Sequence, residues 1–129
     1  MPLMKIDLRE GHDENYINTL LDVAYAAQQK NFHTPDGDRY QVVNEHKDYQ
    51  MKVGDAGLGF KRTKDTIVFS IISRPRERAD KEAFYAQLAS ELQAKLGLNP
   101  DDLVVSIVNN DSEDWSFGQG KAQFINGDL

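Results

Sequence analysis

Two short stretches carry residue types that could do chemistry. The first is Pro2 in MPLMKIDL, directly behind Met1. Inside a chain the proline nitrogen is a tertiary amide, with no proton to give and no basicity. Were Met1 removed, it would become a secondary amine, able to hold a proton, act as acid or base, or attack a carbonyl. A proline here also suits the start of an edge strand, where its missing N–H costs nothing, so Pro2 alone leaves both readings open. The second stretch is Arg74-Pro75-Arg76, which follows the apolar run TIVFSIIS. Pro75 fixes one φ angle and restricts the residue before it, which stiffens the spacing of the two arginines. Two stiffened guanidinium forks suit a carboxylate, which accepts paired hydrogen bonds from each. For either arginine by itself, a solvated turn after a strand is the plainer reading.

The elements that must position these residues follow from hydrophobic period. Residues 2–9 alternate, with Met4, Ile6 and Leu8 on one face, as in a half-buried strand. Asp13 is a candidate N-cap. Ile17, Leu20, Leu21, Ala24 and Ala27 then recur at helical spacing over 14–32. TPDGDR has turn chemistry, and YQVVNEH at 40–46 reads as a second strand. Residues 47–65 are polar, contain Gly54, Gly57 and Gly59, and read as a loop or short hairpin. TIVFSIIS at 66–73 is apolar on both faces, which predicts a central strand. Phe84, Leu88, Leu92 and Leu96 step along one face of a helix over 78–96, ended by Gly97 and Pro100. DLVVSIVNN, 102–110, is a fourth strand, and an aromatic tail occupies 111–129.

The pattern is strand–helix–strand twice, with the second unit offset by about 64 residues. Two βαβ units of right-handed crossover would join into one four-stranded sheet with both helices on one face. That is a two-layer α+β domain over 1–129, with pseudo-repeats at about 2–46 and 66–110. Its second sheet face would be uncovered, which predicts self-association. Pro2 begins the first strand, whereas Arg74 and Arg76 end the third. Bringing them together requires an antiparallel junction or an oligomer contact, and the sequence alone does not choose.

Composition bounds the partners. The chain of 129 residues carries a net charge of −6, which argues against a general binder of nucleic acid or of an anionic membrane. An anionic ligand would have to be captured by local positive charge against the global field. There is no cysteine, which excludes disulfides, thiolate metal sites and cysteine nucleophiles and fits the cytoplasm. No signal segment and no apolar run of membrane-spanning length is visible. His12, His33 and His46 lack metal-ligand spacing, so no metal is expected. The three loop glycines lack the Lys-Ser/Thr pair of a phosphate loop. Asp101, Asp102, Asp111, Glu113 and Asp114 read as solvated charge. Trp115 and Phe117 by themselves would suit a core.

Taken together in this order, MPLMKIDL, DGDRYQ, DAGLG, ISRPR, LNPDDLVVSIVNN, DWSFGQG and the final NGDL resemble the tautomerase superfamily, and within it the malonate semialdehyde decarboxylases. The resemblance covers nearly the whole chain. It implies a tandem β-α-β fold, a homotrimer and no cofactor. It also implies one pocket shared by an amino-terminal proline and the arginine pair. Carried over position by position, it makes Pro2 the catalytic proline and Asp38 the acidic residue beside it. Arg74 and Arg76 become the holders of the substrate carboxylate. Trp115 and Phe117, with Phe124 and Leu129, become an aromatic and apolar wall.

The activity implied is decarboxylation of malonate semialdehyde or a similar short β-oxo acid. Loss of CO₂ leaves an electron pair that must drain into the carbonyl, so charge at its oxygen must be stabilised. The arginines would orient the carboxylate, and a cationic Pro2 or a Pro2 iminium would take up the charge. Asp38 raises the proline pKa, whereas the arginines lower it. The balance expected from Asp38 is a cationic amine. A neutral amine would instead suit keto–enol tautomerisation, and hydration of related oxo acids or a non-enzymatic trimeric scaffold also remain open.

Overall fold

A computed structural model describes residues 1–129. The first unit is β1 (Leu3–Arg9), α1 (Glu14–Phe32) and β2 (Tyr40–His46). The second is β3 (Ile67–Ser73), α2 (Arg78–Leu96) and β4 (Leu103–Asn109), and a short helix α3 (Gln123–Asn126) lies in the tail. The sheet order is β2-β1-β3-β4. Each unit contributes a parallel pair, and the two units meet through β1 and β3 running antiparallel. This supplies the junction that the arginines and Pro2 require.

The period of each element explains its place. Met4, Ile6 and Leu8 of β1 and Ile67, Phe69 and Ile71 of β3 point to one side of the sheet. They bury against Leu20, Val23, Ala24 and Ala27 of α1 and Phe84, Leu88 and Leu92 of α2. Phe32 and Phe84 stack at 4.8 Å where the two helices meet. Burial of each such Leu or Phe contributes about 1.5–3 kcal/mol. Asp13 caps α1 by accepting from the Tyr16 N–H at 2.9 Å. α2 stops at Gly97, whose φ of 68° only glycine adopts freely and whose N–H bonds back to Gln93 O.

No helix packs on the other face of the sheet. Val42 is 48% and Val108 62% exposed there. It is less uniformly apolar than the sequence pattern suggests, because Lys5, Asn44, Ser70 and Ser106 share it with the valines, and Asp7 pairs with His46 at 2.7 Å. No helix is long and apolar enough to cross a membrane.

Of the two readings of 47–65, the loop holds and no hairpin forms; the expectation for Asp102, which packs against this loop, is corrected. A single 3-10 turn, Asp48–Gln50, is followed by open chain that is tied down from outside. Arg9 pairs with Asp48 at 2.8 Å and donates to Met51 O at 2.5 Å, while Arg62 donates to Asp101 O. Asp102 is not solvated charge; it is 2% exposed. It accepts from Thr63 N and Thr63 Oγ1, both at 2.6 Å, and from Thr66 Oγ1 at 2.8 Å. Burial pushes its pKa up, but these hydrogen bonds and nearby Arg62 outweigh that and hold it below the usual carboxylate range.

Candidate active site

The register of β1 determines what gathers at its start. Leu3 lies opposite Tyr40 on one side and Ile72 on the other. One step back along the same pairing sets buried Pro2 between the residues leading into β2 and Ser73 at the end of β3. A further step sets Met1 between Asp38 and Arg74. Residues distant in sequence are thus brought to one corner by sheet geometry.

The terminal ammonium of Met1 reports on the environment of that corner. It lies 3.3 Å from Asp38 Oδ2. Its pKa falls below the usual amino-terminal range, chiefly through burial, with Arg76 and Arg74 adding to the fall and Asp38 opposing it. Asp38 is 6% exposed, and apart from that ion pair neither carboxylate oxygen has a partner in the fold. A buried carboxylate without hydrogen bonds is costly. Its backbone, by contrast, is held firmly, with Asp38 O accepting from Gln28 Nε2 at 2.8 Å.

The arginines are held differently from each other. Arg76 donates from Nε to Ser73 Oγ at 3.1 Å and from Nη1 to Phe32 O at 2.9 Å, so it clamps the end of β3 to the C-terminus of α1. Burial, then Arg74, lowers its pKa, with Asp38 and Asp80 opposing. An arginine stays charged regardless, so this corner favours an incoming anion. Arg74 donates from Nη1 to Ser112 Oγ at 3.2 Å, and its guanidinium lies 3.9 Å from the centre of the Phe124 ring. Its Nε is buried without a partner. A cavity of about 240 Å³ opens here, lined by Arg74, Pro75, Arg76, Asp111 and Ser112.

The tail forms an aromatic cluster beside Arg74. Trp115 stacks on Phe117 at 5.2 Å, and Phe117 meets Phe124 edge-on at 5.3 Å. Trp115 Nε1 donates to Asn110 Oδ1 at 2.8 Å, which satisfies the indole while its ring is buried. Phe124 joins this cluster to the guanidinium. Leu129 stands apart: its side chain is exposed, and its backbone N–H donates to Gln123 O at 3.1 Å. Tyr40, which sequence reasoning left as an ordinary strand residue, brings its ring 5.5 Å from Phe117. The signal available for it was its place two residues after Asp38. Ser73 and Ser112, the hydroxyls that hold Arg76 and Arg74, carried no such signal.

An amine, an unsatisfied carboxylate and two fixed guanidinium groups can together bind a small oxo acid and exchange a proton with it. The comparisons bear on the same corner. The sequence profile of the tautomerase enzyme family matches residues 38–118, a span that includes Asp38, both arginines, Trp115 and Phe117. The chain is 47% identical, over the full length of both proteins, to a Bacillus subtilis (strain 168) protein named "Probable tautomerase YrdN". A crystal structure of a malonate semialdehyde decarboxylase, described in terms of decarboxylase and hydratase activities, superposes with a TM-score of 0.95 at 42% identity, covering 98% of each chain. A second, of a malonate semialdehyde decarboxylase inhibited by 3-bromopropiolate, gives 0.93 at 29% identity, covering 98% of this chain and 97% of that one. The chain belongs to the tautomerase enzyme family.

Proposed function

We propose that this protein is a cofactor-independent decarboxylase of malonate semialdehyde or a similarly short β-oxo acid, with the amine of Pro2, exposed by removal of Met1, as its catalytic group. The observation that carries the reading is the buried Asp38 carboxylate, which holds no group of the fold and lies 3.3 Å from the Met1 ammonium, one residue ahead of Pro2. A carboxylate left in that condition favours a cation beside it. The 42% identical decarboxylase structure supports the choice of reaction.

Arg74 and Arg76 would grip the substrate carboxylate so that the bond to be broken overlaps the carbonyl π system. The C–C bond then breaks and CO₂ leaves. The released electron pair becomes the C=C bond of an enol as the carbonyl oxygen takes the proton of Pro2. Return of a proton to carbon, with loss of the enol proton, gives the aldehyde and restores the charged amine. Trp115, Phe117 and Phe124 would exclude water from one side; the exposed Leu129 side chain takes no part in this wall. The active assembly would be a homotrimer that covers the open sheet face, where Val42 and Val108 are exposed.

The test compares the processed chain with one carrying an uncleaved N-terminal extension, at matched circular dichroism and oligomer size. Only the processed chain should release CO₂ from malonate semialdehyde, since an amide nitrogen neither holds a proton at neutral pH nor forms an iminium. Full activity in the extended chain would overturn the proposal. A second reading, keto–enol tautomerisation, is favoured by the name of the 47% identical relative and by the surroundings of this corner, where burial and both arginines lower the pKa of the Met1 ammonium. A neutral Pro2 would be its general base. Turnover of a small enol acid faster than CO₂ release from malonate semialdehyde would select it.

A further inference from the structure

The tail residue Gln123 has no assigned part in the chemistry above, yet its side chain makes two hydrogen bonds within the aromatic cluster. Oε1 accepts from Phe117 N at 2.8 Å, and Nε2 donates to Gly118 O at 2.8 Å. One amide thus fixes the strand-like turn that carries Phe117 to the first residue of α3. The next residue of α3 is Phe124, which meets the Phe117 ring at 5.3 Å and covers the Arg74 guanidinium at 3.9 Å.

We propose that Gln123 is a positioning residue of this site: its amide pins Phe117 to α3 and so seats Phe124 on Arg74. The guanidinium is held on two sides only, by the Phe124 ring over its face and by Ser112 Oγ at Nη1. Its Nε is buried and unpaired, and the residue lines the cavity of about 240 Å³, where its remaining Nη hydrogens form the edge that can meet a carboxylate. A ring over the flat face fixes the plane of that edge without competing for its hydrogens. If Phe124 drifts, the edge swings and the bound carboxylate is misaligned.

This inference rests on the oxo-acid reading only for its kinetic arm. In that arm, Gln123→Ala should lower kcat for malonate semialdehyde roughly tenfold and change KM less. Gln123→Glu keeps the acceptor for Phe117 N–H but loses the donor to Gly118 O, so it should fall between. Because Gln123 acts through Phe124, adding Gln123→Ala to Phe124→Leu should cost little more than Phe124→Leu alone. Fully additive losses would overturn the proposal. The second arm needs no turnover. Trp115 is the one tryptophan, and its emission should shift to the red in Gln123→Ala as Phe117 loosens. The Arg74 Nε–H resonance, displaced by the Phe124 ring current, should move back toward its free position. Both signals unchanged in a variant of unaltered Tm would also overturn it. If Gln123→Ala does not fold, the resonance in Gln123→Glu decides. A wild type that turns over nothing defeats the proposed function and leaves this spectroscopic arm to decide on Gln123.

Discussion

The two β-α-β units present two comparable ends. At one, Pro2 precedes β1, Asp38 precedes β2 and Arg74-Pro75-Arg76 follows β3. At the other, Thr66 precedes β3, Asp102 precedes β4 and Glu10-Gly11-His12 follows β1. Each end buries one aspartate. Asp102 accepts three hydrogen bonds from Thr63 and Thr66, while the carboxylate of Asp38 accepts none. The carboxylate of Asp102 is used up holding the 47–65 loop; that of Asp38 is available. The fold supplies the same niche twice, and local chemistry decides which niche can bind and react. An unsatisfied polar group at a stiff position distinguishes the candidate site from its structural counterpart.

Removing the carboxylate at each end should separate the two roles. Asp38→Asn should lower decarboxylation by about 10²-fold or more. Thermal stability should fall less than in Asp102→Ala, because the Asp38 carboxylate holds no group of the fold beyond the terminal ammonium. Stability lost with activity retained would reverse the assignment of the two ends. Arg74→Ala and Arg76→Ala should each cost roughly 1.5–3 kcal/mol of carboxylate binding and orientation, about one to two powers of ten in kcat/KM. Arg76→Ala should also lower Tm, since it alone bridges Ser73 and Phe32. Equal melting temperatures for the two variants would remove that distinction.

The opposite end should respond in stability. Asp102→Ala should cost about 2–4 kcal/mol through three lost hydrogen bonds, read by urea unfolding, with CO₂ release changed less than in Asp38→Asn. The pH dependence has a definite sign. The folded pKa of Asp102 is depressed, so its contribution is complete above the unfolded value of about 3.9. It disappears as pH falls through the folded value. Wild-type stability should therefore drop below about pH 4 more steeply than that of Asp102→Asn; parallel curves would show that Asp102 has no part in acid unfolding. The smallest effect expected is for Phe117→Leu. It keeps apolar bulk but loses the stack on Trp115, worth about 0.5–1.5 kcal/mol, and should shift Trp115 emission with only a few-fold loss of rate.

Local signals made much of this legible in the sequence. Asp13 and Gly97 mark a helix start and a helix end because capping is decided within a few residues. The alternation of Met4, Ile6 and Leu8 sets the buried face of β1. Legibility failed where the partner was remote. The antiparallel meeting of β1 with β3 depends on pairing between units, which no local period encodes. Asp102 looks like its neighbour Asp101 until Thr63 and Thr66 fold onto it from nearly 40 residues away. Within the site, the stiffness of Arg74-Pro75-Arg76 could be read directly. The grouping of Asp38 with the aromatic tail came only from the family resemblance, because spacing says nothing about which loops share a corner.

The position of Thr66 directly ahead of β3 limits this architecture. A polypeptide has one beginning, and a residue within it is acylated on its nitrogen. Whatever side chain occupied position 66, its nitrogen would remain an amide, without the lone pair that amine catalysis needs. Joining two β-α-β units into one chain therefore allows at most one site built on a backbone α-amine per protomer, however closely the second niche copies the first. A trimer would hold three such sites rather than six.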